Sequence, residues 1–454
     1  MANYSLQIEP NDNNVYESLK NDTLGNNKWI HKCLNILLTM DNSIVAFDAC
    51  WGNGKTFLAK QLQMIINEKW DMGYNNRKDS NFSLIRELDF DNINSDSYFA
   101  IYYNAWEYDN ENDPVASFLY YLLKMLNKSI PTNKFKNIAT NLVKNVIEKL
   151  SNGWIKLNSD GATNNIEKVL SSVVETEKVR EEIRVLLNEL KEEKCNNLII
   201  FIDELDRCRP TYTLKIIEMI KHYLKMENIL IVCMTDIKQL SNCIKMAYGN
   251  NYDSTMYLDK IFNFKFDIPN SNFDIKKYIN MKIGNHVADN YFFDMVCIEV
   301  IDYYNLSLRN VDIFLGYVKT MFIKSQNMDN TNFTAQAFVE YLFVPYYIGI
   351  KLFKPYLYED FMNGNLDDYF KFCKKDKIIS RLKHIYRICI NSNEFDENKV
   401  FDYFKHDCEL LINYLKGNKF SRQDYYVNQG CFNDVDYYLK DFDMIDFFIR
   451  NTIR

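Results

Sequence analysis

Gly52, Gly54, Lys55 and Thr56 have the residue types and the spacing that phosphate chemistry asks for. Small residues let consecutive backbone N–H groups turn inward around an anion, a lysine reaches the β- and γ-phosphates, and a hydroxyl holds Mg²⁺. Asn53 and Phe57 belong to the same candidate nucleotide-contacting stretch. Ala49 stands where the strict pattern has its first glycine, so the surrounding elements must decide the match. A second set answers the first, because Phe201-Ile202-Asp203-Glu204 ends an apolar run in two acids. Asp203 would hold the metal with Thr56, and Glu204 would be the general base on an attacking water, which makes Lys55 and Glu204 the candidate catalytic pair. The alternative for the acids is to cap the helix that follows, since helix N-termini welcome negative charge.

Both sets need strands to deliver them. A helical apolar pattern from Trp29 to Met40 is followed by a turn at Asp41-Asn42-Ser43 and the short apolar run Ile44-Val45-Ala46-Phe47, which predicts a buried strand. The loop Cys50-Trp51-Gly52-Asn53-Gly54 follows, and a helix begins at Lys55, the strand-loop-helix setting that a phosphate loop requires. Further strands are expected at Tyr98 to Tyr103, Leu198 to Ile202 and Ile229 to Met234, with a helix from about Thr213 to Met226 joining the last two. Strands apolar along their whole length and joined by helices mark a parallel sheet covered on both faces. The fold class is therefore α/β, a mainly parallel sheet flanked by helices, and helical spacing after Pro269 predicts an all-helical C-terminal region. The expected division is a core at 1–269 with a helical insertion at about 114–194, a lid-like helical region at 270–328, and a helical C-terminal region at 329–454.

Ligands of α/β sheets sit at the C-terminal ends of strands. Asn104, with Trp106 and Glu107, and the pair Thr235-Asp236 fall at such ends and are candidate contacts near the γ-phosphate. Thr235-Asp236 could equally be a plain strand-end turn, and Trp106 could pack in the core while Asn104 caps its turn. Arg207, close to the acids, is read as a structural partner of Asp206 in preference to a catalytic group.

Composition bounds the rest. At 454 residues, two or three domains are expected, and 47% hydrophobic with 25% charged residues describes a folded, soluble protein. A net charge of −7 argues against a surface that tracks a nucleic-acid backbone, although a local basic patch stays open. Eleven Cys without a Cys-x-x-Cys pair and five His give neither a zinc framework nor a disulfide scaffold. No run of 18 apolar residues exists, and the nearest, Phe338 to Phe353, is broken by Glu340, Pro345 and Lys351 and reads as buried core. With no secretory pattern at the start, a cytoplasmic location is expected.

The run Phe201-Ile202-Asp203-Glu204-Leu205-Asp206-Arg207-Cys208-Arg209-Pro210, with Ile220-Lys221-His222 after it, resembles the signature of the KAP family of P-loop NTPases. Trp51 inside the phosphate loop, Asn104-Ala105-Trp106, Met234-Thr235-Asp236 with Gln239-Leu240, and Tyr257-Leu258-Asp259-Lys260-Ile261 fit the same pattern, from about Ala46 to Ile268. The resemblance implies an ATPase related to signal-transducing and AAA-type NTPases, with ATP and Mg²⁺ as ligands, often serving as a regulatory switch. Bacterial relatives include phage-exclusion and defence components. Many relatives carry transmembrane helices between the loop and the acidic strand. Here that insertion is charged and broken, which groups the chain with soluble bacterial relatives. Arg309, in Ser307-Leu308-Arg309-Asn310, resembles a lid arginine that reaches back to the nucleotide, or is an ordinary surface arginine. The expected activity is Mg²⁺-dependent ATP hydrolysis used as a switch on a protein effector or through self-association, with anti-phage defence as a family analogy. The alternative is a nucleotide-gated scaffold that binds ATP with little hydrolysis.

Overall fold

The structure is a computed structural model that describes residues 9–40, 42–70, 97–111, 113–129, 195–269, 273–283, 291–322, 341–390 and 395–415, together with 181, 183–185, 187, 188 and 191. Its residues fall into two compact units, one at 9–273 and the other at 274–454.

The first unit is built on five parallel strands, β1 (Ile44–Asp48), β2 (Tyr98–Asn104), β3 (Asn197–Asp203), β4 (Ile229–Thr235) and β5 (Phe264–Asp267), in the order β2-β3-β4-β1-β5. Side chains alternate across a pleated strand, so each strand serves two faces. Val45, Phe47, Ile199, Phe201, Leu230, Val232 and Met234 pack toward one layer, formed by α1 (Asp12–Lys20), α2 (Asn27–Leu38) and α3 (Lys55–Trp70). Their neighbours Ala46, Ile200, Ile202, Ile231 and Cys233 pack on the opposite layer, formed by α4 (Pro114–Ser129), α5 (Pro210–Met219), α6 (Ile237–Tyr248) and α7 (Ser254–Ile261). Every residue of β4 is buried, as a central strand covered on both faces must be.

This order places β4 between the phosphate-loop strand β1 and the acidic strand β3. The chain therefore approaches the loop from two sides of β4, and the ends of β1, β3 and β4 converge. The four expected strands are present, each a residue or two longer than its apolar run because a polar residue closes it: Asp48, Asn104, Asp203 and Thr235. The fifth, β5, is an addition to them. It is a short edge strand whose Phe-Lys-Phe-Asp alternation leaves three of four residues exposed, so no continuous apolar run announces it. The helix expected at 213–226 starts earlier, with Pro210 on its first turn, and widens after Met219 into a looser turn, Ile220–Leu224. Of the expected insertion at 114–194, helix α4 and a few residues from 181 onward are described, Ile183 and Leu187 among the buried core; the rest lies outside the described residues.

The second unit is helical: α8 (Ile275–Ile283), α9 (Tyr291–Tyr303), α10 (Leu308–Phe322), α11 (Val344–Phe353), α12 (Pro355–Asn363), α13 (Asp367–Cys373), α14 (Asp376–Cys389) and α15 (Val400–Leu415). Helix α11 is buried from Val344 to Ile350 and packs on α9, α10 and α12. Gly349 permits that approach, since a Cβ there would meet Val300 at 2.8 Å. No helix among the described residues is long and apolar enough to cross a membrane. The boundary expected between 328 and 329 lies outside the described residues.

Candidate nucleotide site

The loop between β1 and α3 turns on its glycines. Gly52 and Gly54 have φ of 88° and 78°, a left-handed conformation that a Cβ disfavours, which is why small residues alternate there. Lys55 begins α3 and is 9% exposed. Its ammonium folds back along the loop, donating to the carbonyls of Ala49 at 2.6 Å and Cys50 at 3.4 Å. Asn53 is 6% exposed, and its Oδ1 has no hydrogen-bond partner. A buried polar atom left unpaired costs about 1–3 kcal/mol, and such atoms concentrate where a ligand completes the bonding. Phe57 packs against the core beneath the loop, so its side chain serves α3 and only its backbone can face a phosphate.

Asp203 closes β3 at 1% exposure. Its carboxylate accepts hydrogen bonds from the Thr56 hydroxyl, from Tyr102 Oη at 2.9 Å and from the Glu204 N–H at 2.8 Å. Burial pushes its pKa above the usual carboxylate range, and those hydrogen bonds pull the other way. Thr56 and Asp203, the metal-holding pair expected from sequence, are thus in direct contact. Tyr102 is a site residue that no sequence pattern marks; it projects from β2 beside β3, and only the strand pairing of Tyr102 with Phe201 reveals its reach.

Glu204 follows with φ 62° and ψ 22°, a left-handed backbone rare for a side chain of this size. Such residues cost about 1–3 kcal/mol and cluster at functional sites. It does not cap a helix through its side chain. Its Oε2 pairs with Arg207 Nη1 at 2.6 Å, which corrects the expectation that Arg207 would pair with Asp206. Asp206 is 4% exposed and turned inward, where it accepts from the Trp51 indole N–H and from Thr235 Oγ1 at 3.4 Å. The turn Leu205–Arg207 sends successive side chains to different sides, so adjacent Asp206 and Arg207 find separate partners.

Thr235 is fully buried, and Asp236 caps α6 by accepting the Gln239 N–H at 3.1 Å. Asp48, whose Oδ1 accepts the Ile237 N–H at 2.9 Å, is pushed above its ordinary pKa by burial, with Asp236 and Asp267 adding to the shift and Lys55 opposing it. Asn104 Oδ1 accepts the Trp106 N–H at 3.1 Å, so Asn104 caps the turn after β2. Trp106 does not pack in the core; its side chain is 52% exposed. Arg309 stands exposed on the first turn of α10, in the unit that does not contain the loop, where Ser307 caps the helix by accepting the Asn310 N–H at 3.3 Å.

A model of the KAP family P-loop domain matches residues 26–321, from the start of the α2 region to the end of α10. No curated protein matches the chain.

Proposed function

We propose, for a chain that belongs to the KAP family of P-loop NTPases, that it binds ATP with Mg²⁺ and hydrolyses it, the bound and cleaved states serving as a regulatory switch. The observation that carries this reading is the contact of Thr56 with Asp203, which joins the phosphate loop to the acidic strand. Magnesium is usually held through one or two carboxylates together with substrate phosphates, and a buried carboxylate beside a hydroxyl fits that donor set. When bound, the ion would neutralise charge on the phosphate oxygens.

The chain's own groups divide the remaining work. Backbone N–H groups around Gly52 and Gly54 would donate to phosphate oxygens, and the unpaired Oδ1 of Asn53, an acceptor, would take a donor such as a bound water. Lys55 would exchange two carbonyl partners for the β- and γ-phosphates, a gain because an ion pair to an anion is stronger than a bond to a neutral carbonyl. Glu204 would take the proton of the attacking water. Phe57, Asn104, Thr235, Asp236 and Arg309 stay candidate nucleotide contacts, the last through family resemblance. A protein effector, self-association and a role in anti-phage defence likewise rest on analogy. Steady-state phosphate release from ATP with Mg²⁺ tests the reading. Turnover abolished by Glu204→Gln supports it, and tight ATP binding without phosphate release would favour a nucleotide-gated scaffold.

A further inference from the structure

We propose that Arg207 is the positioning residue for Glu204 and that Trp51 and Trp106 hold it in place, which ties the aim of the base to the conformation of the phosphate loop. This rests on the hydrolysis reading. Its geometry begins in the backbone. Glu204 takes a left-handed φ of 62° and its carbonyl accepts the Arg207 N–H at 3.1 Å, closing a tight turn over Leu205–Arg207. In such a turn side chains three residues apart stand one above the other. The Glu204 carboxylate and the Arg207 guanidinium therefore meet, at 2.6 Å.

An arginine three residues from a glutamate on an open surface is worth little, because a flexible side chain must be ordered to make the pair. Here the ordering is done by other residues. The guanidinium lies 5.9 Å from the Trp51 ring centre and 5.5 Å from that of Trp106, within cation–π range of both. Trp51 is fixed by its indole bond to Asp206, and Trp106 by its backbone bond to Asn104. One indole belongs to the residue just before Gly52 and the other to the turn after β2, so two loops of the site converge on one cation. Both indoles are about half exposed, at 48% and 52%, which stacking on Arg207 explains better than core packing does.

Charge supplies the second argument. Asp203, Asp206, Glu107 and Asp109 lie around the same turn: Asp203, Glu204 and Glu107 act together on Tyr102, and Asp109, Asp206 and Glu204 on Cys208. Lys55, on the loop side, is engaged by carbonyls, and Arg209 pairs with Asp109. Arg207 is thus the cation set against Glu204, whose carboxylate it orients among neighbouring acids.

The test is the steady-state kinetics of ATP hydrolysis by the full chain and its Arg207→Ala and Arg207→Lys variants, with thermal melts as the folding control. Arg207→Ala is expected to lower kcat about tenfold with KM for ATP within about twofold, because the base loses its aim while the phosphate contacts stay. Arg207→Lys should recover only part of kcat, because an ammonium cannot lie flat against the two indoles. Unchanged kcat in a folded Arg207→Ala, or a loss carried by KM alone, overturns the proposal while an inactive Lys55→Ala leaves the hydrolysis reading intact. Should Arg207→Ala fail to fold, full kcat in Arg207→Lys overturns it instead. No phosphate release by the unaltered protein would overturn the hydrolysis reading itself.

Discussion

Asp206 accepts the indole N–H of Trp51, so an acid on the turn after β3 grips the phosphate loop at the residue before its first glycine. The same carboxylate receives Thr235 Oγ1 from the end of β4. Three strand ends thus meet on one buried side chain, and the sheet order, with β4 between β1 and β3, is what makes that meeting possible.

Asp206→Ala should therefore loosen the loop as well as cost stability. Leaving Thr235 and Trp51 without their acceptor is expected to lower unfolding free energy by about 1–3 kcal/mol and ATP affinity by about tenfold. A double-mutant cycle with Trp51→Phe, read by denaturant melts, checks the linkage. Strict additivity of the two changes would show that the pair does not act as a unit.

Glu204→Gln keeps nearly the size of the side chain and removes the proposed base. ATP affinity should stay within a fewfold, and phosphate release should slow by roughly a hundredfold or more. If turnover survives while Asp206→Asn stops it, the base lies one acid further along the turn.

Much of this arrangement is legible in the amino-acid sequence. The apolar runs mark four of five strands because strands of a doubly covered sheet have no polar alternation to disguise them. Gly52, Gly54, Lys55, Thr56 and Asp203 stand out because phosphate chemistry fixes both type and spacing. What stays hidden is the choice of partner: Tyr102 on Asp203 and Trp51 on Asp206 across the fold, and Arg207 on Glu204 within its own turn. Each depends on strand register or on a turn's handedness, and no local pattern encodes either.

Asp294 on α9 gives the helical unit a pH dependence of definite sign. Burial raises its carboxyl to about 6, with Lys276 opposing the shift. Because the folded chain holds this proton more tightly than the unfolded one, the group favours folding at low pH and that contribution is lost as pH rises from about 4 through 6. Asp294→Asn should stabilise the chain at pH 8 by roughly 1–2 kcal/mol and have little effect near pH 4. Denaturant melts across that range would contradict the account if the gain were larger in acid.

Asp368 collects three phenols in the same unit, from Tyr303 at 3.0 Å, Tyr304 at 2.8 Å and Tyr346 at 2.9 Å. Tyr346 is almost wholly buried, so its hydroxyl has no easy recourse to water. Asp368→Ala is expected to cost about 2–4 kcal/mol, against under about 1 kcal/mol for Tyr303→Phe, which leaves the carboxylate two donors. Equal losses from both changes, measured by thermal melting, would show that the carboxylate is not the centre of the cluster.

Calorimetric titration of ATP with Mg²⁺ into the unaltered protein and Lys55→Ala tests the central claim most directly. The lysine places the one side-chain charge of the loop against the phosphates, and losing it should weaken binding by a hundredfold or more, about 3 kcal/mol. Unchanged ATP affinity in a folded Lys55→Ala would contradict the account, since the loop from Gly52 to Thr56 would then not be where the phosphates bind.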